Sequence, residues 1–436
     1  MAGSPPASRA TLARHATGRE RHPFVSLLAM VAVVLGVVGT SAVGLLAFQV
    51  WDAANSLSAN AVVIGQDQEL PPSLGAIEGG VNLLVVGTDS CEGANATLSG
   101  ACQNGDTDGE RNDVTMLVHI SDEPRRVTVV SFPRDMVVPI PACPTEDGSG
   151  YYSAMSAQML NASYMYGGLP CTVLTVQQLI GEEIDFAAAI RWTGVINMSD
   201  AIGGVDVCVS GDVSDPHTGL SLTAGTHTLE GVQALQFLRM RHGIGDGSDL
   251  GRISNQQQFM SSMVRKLQSD SVLANPSVLF NLAGTAISQV QQQQLVLSQS
   301  LANPTLMVQI AMAVKDVPYE DIVFVQYPTA YSEGYSRVLP VTDAAEVLFA
   351  AIRDNKPLTL TGEASQGYGV EVTGEAAQPT PDPDATATPS PDAGGGEAGG
   401  SGADTPAEAA PEERVDLPSN IAGQTAAQTT CTVPQY

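Results

Sequence analysis

Basic charge is scarce in this chain of 436 residues: 19 Lys+Arg stand against 46 Asp+Glu, a formal net charge of −27. A nucleic-acid binder needs a basic footprint over the phosphates, so the composition argues against that class of partner. Several signature runs are absent too. Without a Gly-x-x-x-x-Gly-Lys-Ser/Thr loop the chain is not a P-loop nucleotide enzyme, and without Gly-x-Ser-x-Gly it has no hydrolase elbow. No Cys-x-x-Cys pair or Cys/His spacing suits zinc. No internal repeat is visible. Two local absences matter most: Phe24 to Trp51 holds no charged residue, and 370–420 holds no aromatic one.

Those two absences set the organisation. A membrane span needs roughly 20 apolar residues, and a cleavable signal has an apolar core of only about 7–15. The run 24–51 therefore reads as a retained transmembrane anchor. Before it, 1–23 carries Arg9, Arg14, Arg19 and Arg21 against Glu20. That basic flank places the N-terminus in the cytoplasm and everything after Trp51 outside, as a single-pass protein of the cell membrane. Residues 52–78 read as a stalk and 79–360 as the folded domain. Residues 361–436, rich in Pro, Ala, Gly and acid, bury too little apolar surface to offset their ordering entropy and are expected to be disordered. All six cysteines follow the anchor, as disulfides of an exported domain would. The expected pairs are Cys91–Cys102, Cys143–Cys171 and Cys208–Cys431, the last tying the end of the tail back to the domain.

Within the domain, VNLLVVG (81–87), VTMLVHI (114–120) and VTVVSF (127–132) read as strands, the last two joined by a hairpin turn at Ser121–Pro124. Further strands are expected over 205–210 and 321–328. Helical patterns cover Ala154–Tyr166, Thr172–Ile180, Arg191–Ile202 and Leu250–Leu267. The mixture predicts an α/β fold, an α-β-α sandwich around a mixed central sheet.

If the first three strands are antiparallel neighbours, Asp89, Arg111, Asp113 and Arg134 gather at one end of the sheet, where α/β sheets bind ligands. The stretch RMRHGIGDGSDLGRISNQQ adds Arg239, Arg241 and Arg252 within fourteen residues. Arg239 and Arg241 share a side in extended chain. Arg252 and Gln256 share the face of a helix start, where the dipole favours an anion. The glycines allow close backbone approach to a ligand. Guanidinium forks suit phosphate oxygens, and paired carboxylates suit a hard cation. Together these residues suit a diphosphate held with Mg²⁺ or Mn²⁺, while a structural Arg/Asp network remains the alternative from spacing alone. Elsewhere, His242 reads as locally bonded, Trp192 as core or tunnel wall, and Tyr164 and Tyr166 as structural or glycan-facing.

VNLLVVGTDS, RNDVTMLVHI, VVSFPRDMVVPIP, NASYMYGG, INMSDAIGGVDV, LEGVQALQFLRMRH and DLGRISNQQ occur in an order and spacing that resembles the LytR-CpsA-Psr family of membrane-anchored cell-wall ligases, over about 81–360. The resemblance implies transfer of a glycopolymer from a polyprenyl-pyrophosphate carrier onto peptidoglycan. It makes Asp89 and Asp113 metal carboxylates, and Arg134, Arg239, Arg241 and Arg252 pyrophosphate ligands, with Arg111 and Gln256 beside them. Asp249 would orient an arginine or act as base. It also implies an apolar tunnel for the prenyl chain. Two departures stand out: Asn255-Gln256-Gln257 where the pattern often has Arg-Gln-Gln, and Asn112 in place of a common Ser. The insert between Asp89 and Arg111 could cover the pocket mouth. Two rival functions stay open, a polyprenyl-pyrophosphate pyrophosphatase at the same site and a lipid-binding envelope protein without turnover.

Overall fold

The computed structural model describes residues 30, 55, 57–65, 80–105, 109–145, 148–269, 272, 276–333, 337–378 and 412–435. The chain divides into units Met1–Ala53 and Ala54–Tyr436, and the fold is that of the second. Apart from Met30, the expected anchor at 24–51 lies outside the described residues. Among the described residues no helix is long and apolar enough to cross a membrane.

The strands used below are β1 (Val81–Thr88), β2 (Asn112–Ile120), β3 (Val127–Phe132), β4 (Phe186–Arg191), β5 (Val205–Val209), β6 (Gly225–Leu229), β7 (Leu295–Leu297), β8 (Ile322–Gln326), β9 (Val370–Glu375), β10 (Gly423–Thr425) and β11 (Gln428–Thr432). The helices are α1 (Gly168–Ile180), α2 (Trp192–Ala201), α3 (Gly231–Arg239), α4 (Asp249–Gln268), α5 (Pro276–Gln291), α6 (Pro304–Lys315) and α7 (Thr342–Arg353).

A seven-stranded sheet runs in the order β7-β4-β1-β2-β3-β8-β10. It is mixed: β2 lies antiparallel between β1 and β3, whereas β4 runs parallel to β1 and β8 parallel to β3. Side chains alternate between faces along each strand. Leu84, Val86, Val130, Phe132, Val323 and Val325 therefore enter one core with α1 and α7. Val81, Val127, Val129, Ile322 and Phe324 enter the other, against α4, α5 and α6. Both faces are covered, which is why β3 is buried along its whole length. A second sheet, β6-β5-β11-β9, packs on α3 and α4. The disulfides are Cys91–Cys102, Cys143–Cys171 and Cys208–Cys431, the last joining β5 to β11.

Three expectations need correction. Residues 57–65, assigned to the stalk, belong to the domain: Leu57 is buried and the Val62 N–H donates to the Leu297 carbonyl at 2.8 Å. The helix expected over Ala154–Tyr166 is a strand, Met155–Met159, paired with Val137–Ile140, followed by a single turn at Ala162–Met165. Strand pairing there overrides the helix propensity of Ala, Met and Gln. The domain also does not end at 360. β9, β10 and β11 complete both sheets, so the two ends of the supposed tail are folded while 379–411 lies outside the described residues. The low aromatic content hid them because such short strands draw their stability from partners far off in sequence.

Candidate active site

The strand order brings three strand ends together. A register shift at Gly87/Thr88 turns β1 so that Asp89 faces the start of β2. There the Asp89 N–H donates to the Arg111 carbonyl at 3.1 Å, and its Oδ1 accepts from the Arg111 N–H at 2.7 Å. Asp113 follows on β2. Arg134, just past β3, donates from Nη1 to Asp113 Oδ1 at 2.6 Å.

Helix α4 supplies the other half. Ser248 caps it, its hydroxyl accepting from the Gly251 N–H at 3.2 Å, with Asp249 in the first turn and Arg265 and Lys266 in the last. Asp249 Oδ1 lies 2.8 Å from Arg252 Nη2 and 3.1 Å from Arg134 Nε, off the line of good hydrogen bonds. Arg252 also donates to the Asp113 carbonyl at 2.9 Å. Asp249 and Arg252 are almost fully buried. Gln256, one turn on, donates to the Leu238 carbonyl at 2.9 Å.

Arg239 ends α3 with its guanidinium 4.0 Å from the centre of the Trp192 ring, a cation–π distance. It also donates to the Leu98 carbonyl at 3.4 Å, so the Cys91–Cys102 insert does reach the site. Arg241 is held elsewhere: its Nε donates to the Gly247 carbonyl at 2.8 Å, and its N–H to Asp215 at 3.1 Å. Gly243 and Gly245 in this loop approach the protein's own backbone and Gly247 the Gln435 side chain, not open space. Gly245 has φ of +49°, and a Cβ there would strike the Gly367 carbonyl.

Electrostatics separates the two carboxylates. Burial, then the Asp113 charge, pushes the Asp89 carboxyl up to about 6. Burial also raises Asp113, but Arg252, Arg134 and Arg239 outweigh it and hold its carboxyl below the usual value. Burial lowers the Arg239 guanidinium, countered in part by Asp113 and Asp89. Among the described residues no group of three His, Cys, Asp or Glu gathers as a metal site. Asp89 and Asp113 alone still suit Mg²⁺, which commonly takes one or two carboxylates and completes its shell with phosphate and water.

A cavity of about 360 Å³ opens beneath this cluster. Its walls are apolar, among them Val85, Met116, Trp192, Leu235, Phe259 and Met260. Asp113, Arg239, Arg252 and Gln256 form its polar end. An amphiphile with a long apolar tail and an anionic head matches that division.

A family model described as the LytR_cpsA_psr family matches residues 52–348. The chain belongs to the LytR_cpsA_psr family. It is 30% identical over 301 residues to the cell wall biosynthesis protein LcpA of Corynebacterium glutamicum, covering 64% of this chain and 57% of that one. It is 27% identical to the polyisoprenyl-teichoic acid–peptidoglycan teichoic acid transferase TagT of Bacillus subtilis, over 56% of this chain and 69% of the relative. A LytR-Csp2A-Psr enzyme from Actinomyces oris is similar in structure, with TM-score 0.48, 21% identity and coverage of 67% and 96%. The chain spans about half the length of the curated relatives it matches first.

Relative to the LytR_cpsA_psr pattern, the two departures are structural. Asn255 donates to the Phe237 carbonyl at 2.9 Å, and its Oδ1 is 2.6 Å from the Thr432 hydroxyl. Asn112 donates to Thr115 Oγ1 at 2.8 Å. Sequence reading missed Glu110 and Arg191, joined by bonds of 2.6 and 3.0 Å beside the site. The position of Glu110 next to Arg111 was a usable signal for one of them. Nothing local pointed to the other.

Proposed function

We propose that the chain is an extracytoplasmic phosphotransferase that moves a glycopolymer from a polyprenyl-pyrophosphate carrier onto peptidoglycan, assisted by Mg²⁺ or Mn²⁺. One observation carries the reading: an apolar cavity that ends in a partly buried cluster of arginines and carboxylates. Membership of the family and relatives named as teichoic acid transferases support it. The uncharged run 24–51 would anchor the chain, with the disulfide-bonded domain outside the membrane.

In this reading the prenyl tail lies in the cavity and the pyrophosphate meets Arg252, Arg239 and Arg134, whose forks keep donors beyond those facing Asp113 and Asp249. Arg111 stands beside Asp89 and can add to the same anion. Asp249 fixes Arg134 and Arg252 through a single oxygen, a positioning role. A divalent cation on Asp89 and Asp113 would neutralise phosphate charge. The acceptor hydroxyl oxygen bonds to the phosphorus that carries the sugar. The bond from that phosphorus to the bridging oxygen breaks, polyprenyl phosphate leaves with the electron pair, and the hydroxyl proton passes to solvent.

The test incubates the purified chain with a polyprenyl-pyrophosphate-linked saccharide and peptidoglycan fragments, followed by ³¹P NMR. Transfer that needs the acceptor, the cation and Arg252 is expected. Phosphate release indifferent to the acceptor would replace transfer with hydrolysis, and saturable binding without turnover would overturn both.

A further inference from the structure

A second cleft lies on the other face of the same strand ends. Consecutive residues of β4 divide the two: Ile190 lines the apolar cavity and Arg191 lines the cleft. The cleft measures about 810 Å³, within the range of roughly 300–1,000 Å³ typical of ligand sites. Tyr151, Tyr164, Gly167, Glu110 and Arg191 are among its lining residues.

Its inner wall adjoins the reacting groups. Glu110 Oε1 accepts from the Thr88 hydroxyl at 2.5 Å and from Arg191 Nε at 3.0 Å, and Oε2 accepts from Arg191 Nη2 at 2.6 Å. Thr88 lines the apolar cavity and precedes Asp89, while Glu110 precedes Arg111, whose N–H holds Asp89. The outer wall is an exposed aromatic on a rigid mount. Tyr151 is 76% exposed, yet it sits opposite Pro144 in a short ladder beside Cys143, which is bonded to Cys171. The Thr145 N–H donates to the Gly150 carbonyl at 3.0 Å and closes the turn behind it. Tyr152, beside it, meets Tyr166 edge-on with ring centroids 5.9 Å apart. A large apolar ring held in water by a disulfide-braced hairpin contributes little to the core and offers a flat face to a ligand.

We propose that this cleft is the acceptor subsite and binds the glycan strand of peptidoglycan; the assignment rests on the transferase reading above. A pyranose has a C–H face that stacks on an aromatic ring and a rim of hydroxyls that bonds to planar charged groups. Tyr151 supplies the first partner and the Glu110–Arg191 pair the second. Arg191 also faces Glu92 Oε2 at 3.4 Å, so acid outweighs base in this group and the cleft suits an uncharged polyol better than an anion. A strand bound there approaches Asp89 and Asp113 from the side of the sheet opposite the prenyl cavity, so donor and acceptor need not share a channel.

The test uses the full chain in detergent and two probes, a tetrasaccharide of alternating N-acetylglucosamine and N-acetylmuramic acid whose lactyl carboxyls are capped as amides, and geranylgeranyl pyrophosphate. Binding of each is measured by calorimetry for the wild type, Tyr151→Ala and Arg252→Ala. Tyr151→Ala is expected to weaken the tetrasaccharide about tenfold and leave the pyrophosphate within about twofold. Arg252→Ala should do the reverse. Tetrasaccharide affinity unchanged in Tyr151→Ala, or no saturable binding to the wild type up to about 10 mM, overturns the subsite. Pyrophosphate that fails to bind, or binds equally to Arg252→Ala, overturns the transferase reading instead. Since Tyr151 is mostly exposed, its loss leaves the fold intact and the saccharide result interpretable.

Discussion

Replacing Asp249 with Asn tests whether this carboxylate aims arginines or moves a proton. One oxygen, Oδ1, faces both Arg134 and Arg252, at 3.1 and 2.8 Å. In Asp249→Asn an amide oxygen can take that place, so both guanidiniums keep an acceptor and lose only its charge. These contacts are ion pairs off the hydrogen-bond line, so each is worth less than an aligned bond to a charged partner, about 1.5–3 kcal/mol. The loss is therefore about 1 kcal/mol per arginine, or about 2 in all. That is less than the roughly 3–5 kcal/mol of a broken buried pair, because Arg134 keeps Asp113 and Arg252 keeps the Asp113 carbonyl. If the looser arginines bind the transition state less well by the same amount, kcat/KM falls about 30-fold. The melting temperature should fall by about 4 °C. The assay is acceptor-dependent transfer followed from pH 5 to 9, with melting measured in parallel. A positioning carboxylate leaves the shape of the pH profile unchanged. A far larger loss together with a vanished acidic limb would make Asp249 the base and refute this account, and wild-type kinetics would show that the ion pairs aim nothing.

Asp89→Asn should abolish transfer yet stabilise the metal-free chain. Folding raises the Asp89 carboxyl from 3.8 to about 6, so its penalty grows as pH rises through that window and is complete above it. Melting in chelator should improve by about 1–2 kcal/mol at pH 7 and be unchanged near pH 3.5; no gain at pH 7 would contradict the burial of Asp89. His119 behaves in the opposite sense: burial pushes its imidazole down to about 4, so stability is complete above pH 6.5 and falls as pH drops toward 4. His119→Asn should flatten that slope in urea titrations, and an unaltered slope would assign it to other groups. Cys208→Ser with Cys431→Ser opens a disulfide across 223 residues, and the urea midpoint should drop by about 4 kcal/mol equivalent. Val195→Trp, placed in the wall of the apolar cavity, should raise KM for long prenyl donors more than for short ones, and equal effects would remove the tail from that cavity.

The central sheet was legible because its pattern is local. VTVVSF is buried along its length and announces an interior strand, and the turn at Ser121–Pro124 fixes the antiparallel order that brings Asp113 and Arg134 within 2.6 Å. Arg252 and Gln256 were legible for the same reason, since helical spacing alone puts them on one face, and both line the cavity. Arg239 also lines the cavity, but the shared side expected for it and Arg241 is absent, because Arg239 closes helix α3 while Arg241 lies beyond it and is bonded to Gly247. Partners distant in sequence were also invisible. Glu110 and Arg191 meet only because β4 lies beside β1, and residues 412–435 read as more of the acidic tail until β10 and β11 find their sheets.

Those late strands explain the missing cation at position 255. An arginine there could serve the site only if its side chain faced the cavity, but Asn255 faces the joint between α3 and β11. Its amide group holds the Phe237 carbonyl in the last turn before Arg239, and its oxygen lies against the Thr432 hydroxyl. Gln258, one turn on, lies 2.6 Å from the same hydroxyl and donates to the Cys208 and Thr430 carbonyls. Both side chains are fully buried, where an unpaired guanidinium would be costly and a satisfied amide is not. The two amides form a clamp between the helix that carries Arg252, the helix that carries Arg239, and the strand bonded to Cys208. Loss of the late strand should therefore be felt first as misplacement of Arg239, ahead of any loss of the carboxylates on β1 and β2.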